Sequence, residues 1–165
     1  SSNNTFHADV HPGNFLFCEG GKLGVIDFGC IKIFPDQFIK SCLRLVQKHL
    51  NGSHQEFQKE LECLGFIKNV SDLSAKEEKI EKLFSNLAKI LGSIYDKSVF
   101  DFGNKKFRED LNILLRDAME IREVRGSEQF IFFNRITFGL MSILMKLEAK
   151  IETSEAREII LNADC

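Results

Sequence analysis

The chain has 165 residues, of which 44% are hydrophobic and sixteen are Phe, enough to bury the core of one globular domain. Charged residues make up 28% of the chain and nearly balance, at a formal net charge of −2. Such a balance provides no basic surface for a phosphate backbone and is not typical of a disordered chain. We therefore expect one folded unit and no nucleic acid partner.

The cysteines and the apolar segments indicate the cellular compartment. Five cysteines with no C-x-x-C spacing predict neither a disulfide framework nor a zinc site, so buried, reduced thiols are expected. The first nine residues lack the basic and apolar regions of a signal peptide. The most apolar stretch, 130–147, contains Asn134 and Arg135 and is short for a membrane span, which favours a buried helix. We expect a cytoplasmic protein, with peripheral membrane contact left open.

Two short apolar runs near the start of the chain, 15–18 and 23–26, are strand candidates. They flank Gly20 and Gly21, and a Gly-Gly pair between apolar runs predicts a two-residue hairpin turn. That turn would place Asn14 opposite Asp27 at one end of the hairpin, whereas a longer turn would shift the register by a residue.

Helical periodicity dominates the chain beyond Pro35 and predicts five or six helices. Ser53 with Glu56 and Ser74 with Glu77 have the spacing of capping boxes. The predicted boundaries are an N-cap at Asp36, stops at Gly52, Gly65 and Gly92, a fourth helix over 105–124, a fifth after Ser127 and a last one after Thr153. The predicted fold class is mainly α with a small β-hairpin.

Residues before and after the hairpin have the pattern of a phosphoryl-transfer site. Catalysis of this reaction needs a carboxylate that orients the acceptor and oxygen ligands that hold Mg²⁺ on the phosphates. Kinases supply them with H-R-D-x-x-x-x-N and D-F-G. Asp9 and Asn14 have the required spacing, and Asp27-Phe28-Gly29 follows the hairpin. Residues facing each other across strands are about 5 Å apart at Cβ, so Asn14 and Asp27 could share one Mg²⁺.

Two histidines in this segment suggest another reading. His7 and His11 are four residues apart, which is a metal-ligand spacing on a helix. Pro12-Gly13 directly after them argues against a helix. We therefore favour a structural role for His7, in which it fixes the shape of the loop.

The loop also carries a family resemblance. Residues 6–14, Phe-His-Ala-Asp-Val-His-Pro-Gly-Asn, resemble the catalytic loop of the UbiB-like, or aarF-domain, atypical kinases, which reads His-Ala-Asp-Pro-His-Pro-Gly-Asn. Val10 stands where the family has Pro. The resemblance extends through 25–30 (Val-Ile-Asp-Phe-Gly-Cys) and, more loosely, to 134–140 (Asn-Arg-Ile-Thr-Phe-Gly-Leu).

This resemblance implies a kinase-like fold with ATP and Mg²⁺ as cofactors. It implies catalytic roles for Asp9 and Asn14, nucleotide contacts from Asn14, Asp27, Phe28 and Gly29, and a metal held by Asn14 and Asp27. The family is associated with coenzyme Q and isoprenoid-lipid metabolism and is better described as ATPase-like than as protein kinase. A lipid or membrane-associated partner is a further expectation, for which the apolar stretch 130–147 offers a surface.

The resemblance begins at the catalytic loop, so the phosphate-covering loop, the ATP-binding Lys and its Glu partner would precede Ser1. We therefore expect residues 1–165 to be a kinase-like C-lobe without its N-lobe. In this interpretation 1–35 carry the catalytic loop, hairpin and D-F-G, and 36–165 form a helical subdomain. The chain alone should bind nucleotide weakly and turn over nothing, and an N-lobe or upstream polypeptide would be its partner.

Three alternatives stay open. Small-molecule kinases similar to aminoglycoside and choline phosphotransferases carry His-Gly-Asp-Leu-His-Pro-Gly-Asn, but Ala8 replaces the Gly and residues 30–36 lack their later elements. An ordinary protein kinase needs an activation loop, for which there is no room between Gly29 and Asp36. A non-catalytic binding module is the third, and the intact set of Asp9, Asn14 and Asp27 argues against it.

Overall fold

The computed structural model describes residues 4–120 and 128–162. Within these ranges it has six α-helices and three two-stranded antiparallel sheets, so the predicted mainly α fold with small β structure is confirmed. The strands are β1 (Thr5–His7), β2 (Phe15–Phe17), β3 (Leu23–Val25), β4 (Ile31–Ile33), β5 (Val99–Asp101) and β6 (Lys150–Glu152). The helices are α1 (Asp36–Asn51), α2 (His54–Cys63), α3 (Ala75–Ser93), α4 (Lys105–Glu120), α5 (Glu128–Lys146) and α6 (Ser154–Leu161).

The predicted hairpin exists, but its predicted register is wrong by one residue. Phe15 pairs with Val25 and Phe17 with Leu23. The cause is a three-residue turn, Glu19–Gly21, in which Gly20 and Gly21 have φ values of 73° and 72°. The glycines are needed there, because other residues rarely adopt such a backbone. The shift places Asn14 opposite Ile26, whose N–H donates to the Asn14 carbonyl at 3.0 Å, and not opposite Asp27.

A second sheet, which the sequence did not predict, joins the two ends of residues 8–30, the site segment that contains Asp9, Asn14 and Asp27. β1 pairs with β4, with His7 opposite Ile31. The N–H of Ala8 extends the ladder by donating to the carbonyl of Cys30 at 2.8 Å. The predicted catalytic loop, the hairpin and the D-F-G turn all lie between these two strands in the chain, so one short ladder fixes both their beginning and their end.

Local signals placed most helix boundaries correctly. Both predicted capping boxes are present, at Ser53 with Glu56 and at Ser74 with Glu77. Gly65 follows the end of α2 with a φ of 78°, as predicted. The remaining part of the predicted fourth helix, 121–124, and the residue before the fifth, Ser127, lie outside the described residues.

Two predicted boundaries are wrong. Asp36 is the first residue of α1 and not its N-cap, because the carbonyl of Pro35 already accepts from the N–H of Phe38 at 3.0 Å. Gly92 does not stop α3 but lies buried in its last turn, where a Cβ would come within 2.8 Å of Leu50 Cδ2. Its role is close packing between α3 and the end of α1.

The hydrophobic core consists of two clusters, and α5 contributes to both. The first lies among α1, α2 and α3 and contains Phe34, Leu61 and the α5 residue Phe130. The second lies around α4 and the β5 turn and contains the α5 residue Met141. The stretch 130–147 is only partly the buried helix that we predicted, since Ile131 is 69% exposed. Within residues 4–120 and 128–162, no helix combines the length and apolarity needed to cross a membrane.

Candidate active site

The predicted catalytic loop, between β1 and β2, is a series of tight turns. The N–H of His11 donates to the Asp9 carbonyl at 2.8 Å, and His11 Nδ1 accepts from the N–H of Gly13 at 3.1 Å. Pro12–Asn14 form one turn of 3₁₀ helix, for which the fixed φ of Pro is suited. These turns bring Asn14 back beside Asp9.

Asp9 and Asn14, the two predicted catalytic residues, are in direct contact. Asn14 Nδ2 donates to the Asp9 carbonyl oxygen at 3.0 Å and to Asp9 Oδ2 at 3.2 Å. Both bonds use the amide nitrogen, so the amide oxygen of Asn14 is not used in holding Asp9. An amide oxygen is a suitable ligand for a hard cation.

The other carboxylate oxygen of Asp9 is held by a helix distant in sequence. Arg135 Nη2, on α5, donates to Asp9 Oδ1 at 2.6 Å. The hydrogen bond and charge of Arg135, together with the hydrogen bond from Asn14, lower the pKa of Asp9 in spite of partial desolvation. Asp9 is therefore a charged carboxylate at neutral pH.

Asp27 stands in a strained turn directly after the hairpin. Its φ is 58°, in the left-handed region that only Asn and Asp tolerate well among residues with a Cβ. Its Oδ1 accepts from the N–H of Gly29 at 3.1 Å. Because Ile26 is bonded to Asn14, Asp27 lies at the same hairpin end as Asn14, although its carboxylate bonds within its own turn and not to Asn14.

His7 connects the strand before the loop with this turn. Its Nε2 lies 2.9 Å from the carbonyl oxygen of Asp27. Since a carbonyl only accepts, Nε2 carries the proton and donates, and Nδ1 is left buried without a hydrogen-bond partner. The ring also lies edge-on to Phe28, with centroids 6.0 Å apart. The expected structural role of His7 fits these contacts.

Phe28 and Gly29 complete the D-F-G turn. Phe28 is 63% exposed, and a Cβ on Gly29 would lie 3.0 Å from Asp27 Oδ1. A second Asp-Phe-Gly, at 101–103, forms a similar turn in which Asp101 Oδ1 accepts from the N–H of Gly103 at 2.8 Å. There the phenylalanine, Phe102, is buried and the aspartate does not have a positive φ. The tripeptide by itself therefore indicates only a turn. The exposure of the phenylalanine and the φ of the aspartate distinguish the turn at 27–29 from the turn at 101–103.

The donor set of the site fits Mg²⁺. The Asn14 amide oxygen and the Asp27 carboxylate are hard oxygen ligands, and Mg²⁺ commonly takes one or two carboxylates together with substrate phosphates and water. The alternative pairing of His7 with His11 is not supported, because a strand and a loop carry them and not one helix. In the described part of the chain, no three His, Cys, Asp or Glu side chains group as a metal site.

Arg135 is the site residue that sequence reasoning missed. It is an isolated arginine within the apolar stretch 130–147, 126 residues away from Asp9. The one signal was its position in the segment 134–140, which shares the family resemblance. Periodicity could not connect that segment with the catalytic loop.

Comparison with known proteins finds similarity to atypical kinases. Residues 1–61 match the ABC1 atypical kinase-like domain. The chloroplastic protein Activity of BC1 Complex Kinase 1 of Arabidopsis thaliana is 26% identical over 147 residues, which cover 88% of this chain and 22% of that protein. An uncharacterized, chloroplastic aarF domain-containing protein kinase of the same plant is 33% identical over 85 residues, covering 49% of this chain and 12% of that protein.

A cyanobacterial relative extends the comparison beyond plants. An uncharacterized protein of Synechocystis sp. is 27% identical over 112 residues, covering 68% of this chain and 19% of that protein. The chain thus spans about a fifth or less of the length of these relatives.

The matches point to an atypical kinase-like domain at the start of the chain. The predicted resemblance to the UbiB-like, or aarF-domain, family is confirmed: residues 1–61 match the ABC1 atypical kinase-like domain, and two of the similar proteins are named as an Activity of BC1 Complex Kinase and an aarF domain-containing protein kinase.

Proposed function

We propose that this chain is the C-lobe part of an atypical kinase or ATPase that binds Mg-ATP. The observation that carries the proposal is the double hydrogen bond from Asn14 Nδ2 to Asp9, which joins the catalytic-loop carboxylate to a prospective metal ligand. Asn14 and Asp27 would hold Mg²⁺ against the ATP phosphates. Phe28 and Gly29 would contact the nucleotide. The bound ion would neutralise phosphate charge during phosphoryl transfer.

Asp9 would orient the phosphoryl acceptor. A carboxylate has about four acceptor positions, and Asn14 and Arg135 use two of those on Asp9. An acceptor hydroxyl or a water molecule can occupy another. Because its pKa is lowered, Asp9 is a weak base, which suits orientation better than early proton removal and is compatible with a loose transition state.

The domain organisation belongs to the proposal. Residues 1–165 would form a C-lobe, with 1–35 carrying the chemistry and 36–165 forming its helical support. Large apolar side chains are exposed on the hairpin and β4, among them Phe17 at 72% and Ile33. An exposed apolar face of this kind is typical of an interaction surface, which supports an N-lobe or upstream polypeptide as partner.

The substrate side of the proposal rests on the family. We propose a link to coenzyme Q or isoprenoid-lipid metabolism, with a lipid or membrane-associated partner and peripheral contact with a membrane. The partial exposure of α5 supports an apolar partner, since side chains such as Leu140 lie at the surface of the described fold.

Magnesium-dependent ATP binding, measured by calorimetry with a kinase N-lobe supplied in trans, tests the proposed function. Asp27→Asn removes the carboxylate charge and keeps a residue that tolerates a positive φ. Asp101→Asn is the matched control, because it makes the same change in the second Asp-Phe-Gly turn.

The proposal expects wild type and Asp101→Asn to bind ATP only with Mg²⁺, and Asp27→Asn to bind at least tenfold more weakly. Equal binding by all three proteins would place the nucleotide elsewhere. No binding by any of them would favour the non-catalytic module, whereas ATP-dependent phosphorylation of an aminoglycoside or of choline would favour the small-molecule kinases.

A further inference from the structure

Arg135 joins two parts of the protein that are far apart in the chain. Its guanidinium donates to Asp9 Oδ1 at 2.6 Å, and the two side chains are 57% and 38% exposed. An ion pair this exposed contributes little to global stability, because water and salt screen it. The ion pair can still matter locally, because it fixes the position of the Asp9 carboxylate.

One turn further along α5, Gly139 is in contact with the same loop. A Cβ at Gly139 would lie 2.9 Å from the Val10 carbonyl oxygen and 3.0 Å from Val10 Cβ. Backbone atoms cannot move aside as a side-chain end can, so the approach of helix and loop depends on glycine. Residues four apart share a helix face, so Arg135 and Gly139 together seat α5 on residues 9 and 10.

The rest of α5 is anchored in the core beside this contact. The Phe133 ring lies 6.3 Å from that of Phe34 and 5.9 Å from that of Phe38. The Phe130 ring is edge-on to Phe66 with centroids 4.6 Å apart. A helix held by such aromatic contacts is a rigid support for the groups on its other face.

The loop is attached to the fold by the buried Ala8, by the contact of Val10 with Gly139 and by hydrogen bonds. Ala8 is held by the Cys30 carbonyl, and Asn14 holds Asp9 from within the loop. Among the described residues, Arg135 supplies the side-chain hydrogen bond to Asp9 that comes from outside the site segment.

From these contacts we infer that Arg135 is a positioning residue for phosphoryl transfer, which fixes the Asp9 carboxylate and residues 8–14 to α5; the inference rests on the proposed function. In this role Arg135 would act through Asp9, to which its guanidinium is bonded, and would have no part in holding the nucleotide or the metal. Its loss would leave the Asp9 side chain held by Asn14 alone. Small displacements of a group that orients a reactant lower the reaction rate strongly, because the rate depends on the exact position of the reacting atoms.

Amide hydrogen exchange on the full chain tests the inference without any ligand. Four variants are compared with wild type: Arg135→Gln, Arg135→Lys, Gly139→Ala and the control Arg116→Gln, which removes an exposed arginine from α4. We expect Arg135→Gln to speed exchange in residues 8–14 by about threefold to tenfold, with no change in α1 to α3. Arg135→Lys should restore much of the protection, and Arg116→Gln should resemble wild type.

Gly139→Ala separates the helix contact from the ion pair. The change keeps Arg135 and favours the helix, because alanine is the better helix former. We expect it to speed exchange in residues 8–14 as Arg135→Gln does. Unchanged exchange in residues 8–14 of Arg135→Gln, with folding verified by circular dichroism, would overturn the inference.

Calorimetry with Mg-ATP and the supplied N-lobe distinguishes this inference from the proposed function. Because Asp9 does not hold the metal, Arg135→Gln should bind Mg-ATP within about threefold of wild type while its turnover falls at least tenfold at saturating ATP. A parallel loss of affinity and turnover would contradict a positioning role. Failure of wild type to bind Mg-ATP would overturn the proposed function, while the exchange result still decides whether Arg135 holds the loop.

Discussion

His7 Nε2 donates a hydrogen bond to the backbone carbonyl of Asp27 across 2.9 Å, so the strand before the catalytic loop supports the turn after the hairpin. Asp27 has a φ of 58°, which is costly for a residue with a Cβ. The His7 bond is one of the contacts that maintain this conformation.

Replacing His7 should therefore destabilise the chain through the Asp27 turn. His7→Phe keeps an aromatic ring between Phe15 and Phe28 but removes the donor, leaving the carbonyl without this partner. We expect a loss of about 1–2 kcal/mol in the free energy of unfolding. Urea denaturation measures it, with His7→Gln as a control that retains an N–H donor. Equal stability of His7→Phe and wild type would contradict this account.

The capping box of α3 should make stability depend on acidic pH. Hydrogen bonds from the Ser74 hydroxyl, the Ser74 N–H and the Lys68 N–H lower the pKa of Glu77 from 4.5 to about 2. The folded-state pKa is thus below the unfolded one, so this contribution to stability is present above pH 4.5 and is lost as the pH falls towards 2.

Glu77→Gln should weaken this pH dependence, because glutamine can still accept the bonds but does not titrate. The measurement is Tm at pH 7 and at pH 3 for both proteins. We expect the acid-induced fall in Tm to be smaller in Glu77→Gln than in wild type. A fall of the same size would show that Glu77 does not contribute to the acid sensitivity.

Two helical glycines should respond differently to alanine. A Cβ at Gly92 would meet Leu50 Cδ2, the end of a flexible side chain, at 2.8 Å, whereas a Cβ at Gly139 would meet the Val10 carbonyl oxygen at 2.9 Å. Leu50 can change rotamer, and alanine gains about 1 kcal/mol in helix propensity. We expect Tm of Gly92→Ala to stay within a few degrees of wild type and Tm of Gly139→Ala to fall. The opposite order in a thermal scan would refute the comparison.

The cysteines should differ sharply in reactivity. Burial raises the pKa of the Cys42 thiol to about 12. The prediction that the thiols are buried is wrong for Cys18 and Cys63, which are exposed. Alkylation requires the thiolate, so Cys42 should stay unmodified in the folded protein at pH 8 while Cys18 and Cys63 react. Mass spectrometry after timed iodoacetamide treatment checks this, and urea should make Cys42 reactive. Labelling of Cys42 at the rate of Cys63 without urea would contradict the buried position.

Features that depend on neighbouring residues were predictable from the sequence. The capping boxes of α2 and α3 need partners three residues apart, and the contact of Asn14 with Asp9 lies within one tight loop. The D-F-G turn was likewise predictable from its sequence. The same tripeptide at 101–103 shows, however, that only the neighbouring residues distinguish the predicted site from an ordinary turn.

Features that depend on the path of the chain were not predictable. The hairpin register depends on whether the turn has two or three residues. The turn has three, with positive φ values at Gly20 and Gly21, and the Gly-Gly pair alone does not distinguish the two lengths. The pairing of β1 with β4 involves three-residue strands, too short for a periodic signal. Arg135 reaches Asp9 only because α5 packs on the core through aromatic residues that any buried helix could carry.

The hairpin tip, Glu19–Gly21, is exposed and a Cβ at Gly20 or Gly21 would meet nothing within 4 Å. Both ends of the site segment, meanwhile, are fastened together by the β1–β4 ladder and the Ala8–Cys30 bond. The site segment therefore leaves and rejoins the rest of the fold at one place. Its exposed tip, near the middle of the segment, is the position where an insertion should be tolerated best. A fluorophore or a short peptide could therefore be introduced at the tip without altering Asp9, Asn14 or Asp27, which lie at or beyond the other end of the hairpin.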